Sequence, residues 1–201
     1  MGQTNLFLPA QKVGKTAQSY MQLGGDGSML QAANHGKYFE ATDQKRAYRG
    51  LNVSAVTISA ALATTYTGLL LQNPAASTVN LVVNKINGAI IVAPAAVLAL
   101  GLLQGTGAIS ATTVDQIQSN IVGGSNTGQG LIFKAATIPT PTWTDILWGN
   151  LVSANLGSFN YDCDGEIVIA PGGFLAIAAN VTGPTTGFKG SISWEEVALT
   201  A

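Results

Sequence analysis

The chain has 201 residues, of which 47% are hydrophobic and only 9% are Asp, Glu, Lys or Arg, with a formal net charge of −1. That length makes one self-supporting domain the default, and the single cysteine, Cys163, excludes an intrachain disulfide. The balanced charge excludes a general nucleic-acid binder, and a charged fraction far below the about 25% of typical soluble domains points to neutral faces covered by copies or neighbours.

Residues 1–36 show no sustained periodicity and are broken by Gly14, Gly24, Gly25, Gly27 and Gly36. They are expected to form an extended arm that orders on a neighbour, ahead of a β domain over 37–201. The opening MGQTNLFLPAQKVGK lacks the basic start and apolar run of a secretion signal, and Leu6 stands where myristoylation needs Ser or Thr. Lys12, Lys15, Lys37, Lys45, Arg46 and Arg49 outnumber Asp26, Glu40 and Asp43 near the start, a bias that could dock on an acidic neighbour but that also arises by chance.

From Tyr38 to Thr42 the alternation suits a short strand. Residues 51–62 alternate too, and their parity switch at Ala55-Val56 predicts a bulge. The apolar run 67–71 is ended by the turn initiator Asn73-Pro74, and the strand 78–86 by Asn87-Gly88, a strong hairpin signal. Residues 89–103, AIIVAPAAVLALGLL, are too short for a membrane helix of about 18–20 residues and are interrupted by Pro94 and Gly101; they read as two buried strands.

Val114, Ile117 and Ile121 recur at helical spacing behind Thr112 and Thr113, which predicts one short helix in a polar loop. Residues 131–138 form a strand, and 142–151, with Trp143 and Trp148, a helical turn and loop plug. Residues 151–169 read as a hairpin turning at Asp164-Gly165. Apolar runs over 167–170 and 174–178 then flank Pro171-Gly172-Gly173, where Pro presets φ and Gly accepts a positive one. Phe188, Gly190, Ile192 and Trp194 alternate with Lys189, Ser191, Ser193 and Glu195, one face buried and one wet. The chain should therefore end as three antiparallel strands around a buried Trp194. About nine or ten short strands without βαβ alternation predict an all-β antiparallel sandwich or jelly roll with at most one or two short helices.

No catalytic, cofactor-binding or metal-binding residue is predicted. The one histidine, His35, falls in the arm, and no Gly-x-Ser-x-Gly elbow is present. Cys163 sits between Asp162 and Asp164, which would raise its pKa and quench it. Asp162, Asp164 and Glu166 fall on one side of a strand, but they lack the length and distal Glu of a calcium loop and read as solvated acids beside a turn. These acids with Glu195-Glu196 could supply a glycosidase pair, yet nothing sets two of them across a cleft. Trp143 and Trp148 are the one sugar-stacking platform the sequence offers.

Three segments together carry a resemblance: Thr67-Gly68-Leu69-Leu70-Leu71-Gln72-Asn73-Pro74; Asp164-Gly165-Glu166-Ile167 leading into Pro171-Gly172-Gly173; and the ending Gly190-Ser191-Ile192-Ser193-Trp194-Glu195-Glu196-Val197. With Tyr38-Phe39-Glu40-Ala41 they resemble small virion structural proteins of tailed bacteriophages, in outline over residues 37–201. The resemblance implies a non-enzymatic jelly-roll subunit of the virion, assembled in the host cytoplasm. It would be a capsid cement or decoration protein, a homo-oligomer with a trimer favoured, bound to the major capsid protein or other virion proteins and to neither nucleic acid nor membrane. Residues 1–36 would then be its shell- or neighbour-binding arm. The alternatives are a tail or head-fibre component, or a carbohydrate-binding module for host glycans.

Overall fold

A computed structural model describes residues 22–23, 29–30, 37–58, 62–92, 97–114, 116–151, 157–180 and 187–199. The chain divides into two compact units, Met1–Glu40 and Ala41–Ala201. In the first, β1 (Gln22–Leu23) pairs antiparallel with β2 (Met29–Leu30). The rest of the expected arm, with His35, lies outside the described residues.

The short strand expected around Tyr38 is instead a helix, α1 (Phe39–Asp43). Its end is closed by Arg46 N donating to Ala41 O at 2.8 Å, and by Lys45 at φ 60. Alternation over so few residues cannot outweigh a local hydrogen-bonded turn that buries Ala41.

The second unit holds twelve strands in two antiparallel sheets packed face to face. They are β3 (Ala47–Leu51), β4 (Val56–Thr57), β5 (Thr65–Gln72), β6 (Val79–Val92), β7 (Leu98–Thr106) and β8 (Ser110–Val114), then β9 (Gln116–Ser119), β10 (Leu131–Thr137), β11 (Thr142–Leu151), β12 (Gly157–Ile169), β13 (Gly173–Ala179) and β14 (Gly187–Ala198). One sheet runs β11-β7-β13-β5-β10-β8; the other runs β12-β6-β14-β3-β9, with β4 added to β14. Strands β5 to β7 and β11 to β13 form two arms of one ribbon: β5 pairs β13, β6 pairs β12 and β7 pairs β11. Successive strands on each arm change sheet, which is the winding of a jelly roll.

Between the sheets lie Leu69, Leu71, Leu81, Val83, Leu175, Ile177, Phe188, Ile192 and Trp194, all at most 2% exposed. The β11-β7-β13-β5-β10-β8 sheet is buried on its other face too, where Tyr66, Leu70, Leu103, Phe133, Phe174 and Ala176 form a second cluster. Every residue of β13 is buried, which explains why its sequence is a continuous apolar run rather than an alternation. Among the described residues no helix is long and apolar enough to cross a membrane.

Several expected turns are not turns. β6 runs straight through Asn87-Gly88. Gly88 serves packing there, since a Cβ would meet the Phe159 ring at 2.4 Å. Asp164 and Gly165 do take positive φ, 47° and 89°, but as a bulge: the pairing with β6 steps from Asp162↔Lys85 to Ile167↔Val83 and the strand continues. Residues 112–122 give β8 and β9 in place of a helix, because each finds a partner, β10 and β3. Residues 142–151 likewise extend along β7 as β11. Instead of a bulge at Ala55-Val56, β3 ends at Leu51 and β4 is a separate short strand on β14. Pro171-Gly172-Gly173 is a turn, with Gly172 at φ 83°, yet it carries the chain from one sheet to the other. The last three strands are thus split between sheets, with β14 beside β6.

Candidate functional site

The structure spends the reactive side chains of the body on scaffolding. Cys163 is 1% exposed, and burial first, then Glu166, Asp162, Asp164 and Asp145, pushes its thiol up to about 12. The direction agrees with the sequence, but desolvation outweighs the neighbouring acids that suggested it. Because the folded pKa is raised, the stability linked to this neutral thiol is fully present below the free-thiol range of about 8.5. It is lost as pH climbs through about 12. At pH 8 native Cys163 should stay unlabelled by Ellman's reagent while urea-unfolded chain is labelled at once. Equal rates in the two states would place the thiol at the surface.

Glu195 and Glu196 are adjacent on β14 and so face opposite ways. Glu195 pairs with Arg46. Glu196 is buried, and its Oε1 accepts from the backbone N–H of Gln129 (2.6 Å) and Gly130 (3.0 Å) and from Trp194 Nε1 (3.3 Å). It anchors the segment leading into β10 and cannot face a partner carboxylate across a cleft. Asp162 is ion-paired with Lys85 Nζ at 2.9 Å, and the bulge shifts the pairing register between it and the far side of Glu166. The Tyr161 hydroxyl donates to Asp145 Oδ2 at 2.5 Å, which pushes that hydroxyl up to about 12 and ties β11 to β12. Among the described residues no group of three or more His, Cys, Asp or Glu could hold a metal ion.

Trp143 is half-buried against the second apolar cluster, and the side chain of Trp148 lies outside the described residues.

Among the described residues an open concavity lies elsewhere, on the outer face of the β12-β6-β14-β3-β9 sheet, with a volume of about 660 Å³. The pairing register places Gln118, Arg49, Ser193, Lys85 and Asp162 in one cross-strand row and Leu51, Ser191, Asn87 and Asn160 in the next. Lys189, Ala89 and Ser158 form a third. Directly opposed residues of antiparallel strands share a face, so these side chains line one surface. Arg49 Nε donates to Asn120 Oδ1 at 2.9 Å, and Asn87 Nδ2 reaches Ser191 Oγ at 3.5 Å. The lining described has two cations, Arg49 and Lys189, and no acid. The alternation over 188–195 announced a wet face, but no local signal joins Asn87 to Asn160, which pair only once the ribbon is wound.

Comparison with known protein families, with curated protein sequences and with solved structures finds no match to this chain.

Proposed function

We propose that the chain is a non-enzymatic structural subunit of a tailed-phage virion, a cement or decoration protein that binds the shell as a homotrimer. The observation that carries this reading is the commitment of its chemically capable side chains to the scaffold: Cys163 buried, Glu196 holding a loop, and Glu195, Asp162 and Asp145 each tied to another strand. A charge-poor surface supports association over solitary life. The segments that resemble virion proteins also have structural jobs. Asn73-Pro74 and Pro171-Gly172-Gly173 meet where the ribbon changes sheets, with Gly172 N donating to Asn73 O at 2.8 Å and Asn73 N to Gly173 O at 2.9 Å. The segment 190–197 runs within β14, between β6 and β3.

The test is co-sedimentation of the purified chain with phage shells that lack it, together with its mass by light scattering. Saturable binding and a mass three times the 20.6 kDa protomer are expected. A chain that stays in the supernatant at every concentration overturns the reading, and binding to isolated tails alone would favour the fibre role. Residues 1–36 are proposed as the shell-binding arm. A chain lacking them should remain folded and lose at least tenfold in shell affinity; unchanged binding would rule the arm out.

A further inference from the structure

We propose that the outer face of the β12-β6-β14-β3-β9 sheet is a binding site for an acidic saccharide chain, one that carries uronate or sulfate groups. The argument begins with charge. In a chain with few ionised residues, Arg46 is neutralised by Glu195, and Lys85 by Asp162 at the far end of the Arg49 row, whereas Arg49 and Lys189 stand exposed on this face without an acid in the lining described. Arg49 is held through Nε by Asn120, which leaves the paired N–H groups of its guanidinium to meet a carboxylate or sulfate in a fork. Lys189 adds a point charge in the row beyond Ser191.

Between the cations the amides and hydroxyls of Asn87, Asn160, Gln118, Ser158 and Ser191 share the surface with the apolar Leu51 and Ala89. Asn87, Asn160 and Gln118 each present donor and acceptor together, as sugar hydroxyls require. Asn160, Asn87 and Ser191 oppose one another on the neighbouring strands β12, β6 and β14, about 4.8 Å apart, a spacing comparable to one sugar ring. A saccharide lying across these three strands would therefore meet a polar group at each of them. A protein partner is disfavoured because interface cores need apolar or aromatic anchors, and the lining aromatic, Phe159, is stacked on Phe188 at 6.4 Å. That stacking also leaves no base-stacking platform for a single-stranded nucleic acid. The site uses no residue of 1–36, so it stands independently of the shell-binding reading.

The test is isothermal titration of the full chain with oligogalacturonate, compared with neutral cello-oligosaccharide, polyglutamate and single-stranded DNA. Saturable binding of oligogalacturonate is expected, at least tenfold tighter than of the other three and weaker as salt is raised. Arg49→Gln and Lys189→Gln should each weaken it at least tenfold. Asn160→Asp, which adds a like charge at an exposed position, should weaken it as well. Thermal unfolding of the three variants should match the parent, since all three side chains are exposed. Absence of saturable binding, equal affinity in the Arg49 and Lys189 variants, or tighter binding of DNA, polyglutamate or the neutral sugar overturns the proposal.

Discussion

Replacing Trp194 with alanine should lower stability by about 3–5 kcal/mol, the range for emptying a large aromatic site in a core. The indole is 0% exposed at the centre of β14. It stacks on Tyr48 with ring centroids 6.1 Å apart, and its Nε1 donates to the buried Glu196. Gly130 lies close against it, so close that a Cβ would come within 3.0 Å of both the indole and Leu81. Truncation therefore opens a cavity between the sheets and removes one of the three donors that hold a buried carboxylate. Since domains of this kind are stable by about 5–15 kcal/mol in all, the loss is a large fraction of the total. Urea unfolding followed by far-UV circular dichroism would measure it. Trp194→Phe, which keeps most of the packing and loses only the N–H, should cost less than half as much. A loss below about 1 kcal/mol for the alanine variant would remove Trp194 from the core.

Asn73→Ala should cost about 2–5 kcal/mol, because its Nδ2 satisfies two carbonyls at once and a buried acceptor left unpaired costs about 1–3 kcal/mol. The amide donates to Val79 O and to Ile169 O, each at 2.8 Å, and the residue is 0% exposed. One acceptor opens β6 and the other closes β12, so a single side chain joins the two ribbon arms where both change sheets. Asn73→Asp tests the donor role directly. An ionised carboxylate facing two carbonyls is disfavoured, so its folded pKa is raised. The variant should then be relatively better tolerated below the unfolded carboxylate range, about 3.9, and worse as pH rises above it. Denaturant midpoints at pH 4 and pH 7 would show this. A midpoint for Asn73→Asp that is the same relative to the parent at both pH values would mean that the amide donates nothing essential.

Both residues were visible in the sequence, but their importance was legible to different degrees. Trp194 lies in a strict alternation, and period two alone puts it inside. Asn73 reads as the start of a turn, and its side-chain partners lie 6 and 96 residues away. Glu196 is a similar case: its buried carboxylate depends on N–H groups 66 and 67 residues earlier in the chain. The cleft on the outer face was not legible at all. It collects residues from β3, β6, β9, β12 and β14, none carrying a motif of its own.

The sequence by itself determined the all-β class, the buried face of β14, the apolar run of β13, the upward shift of the Cys163 thiol and the turn at Pro171-Gly172-Gly173. These follow from side-chain period, apolar continuity and glycine's freedom at positive φ, all of them local properties. Only the tertiary structure decided that Asn87-Gly88 stays within a strand, that Asp164-Gly165 becomes a bulge, and that residues 112–119 and 142–151 extend. In each case the local preference is worth on the order of 1 kcal/mol. A long partner strand supplies a ladder of backbone hydrogen bonds and a buried face, and together these outweigh it. The partners of β6, β8, β9 and β11 are distant in the chain or in the other arm of the ribbon, so their effect could act only once the ribbon was wound.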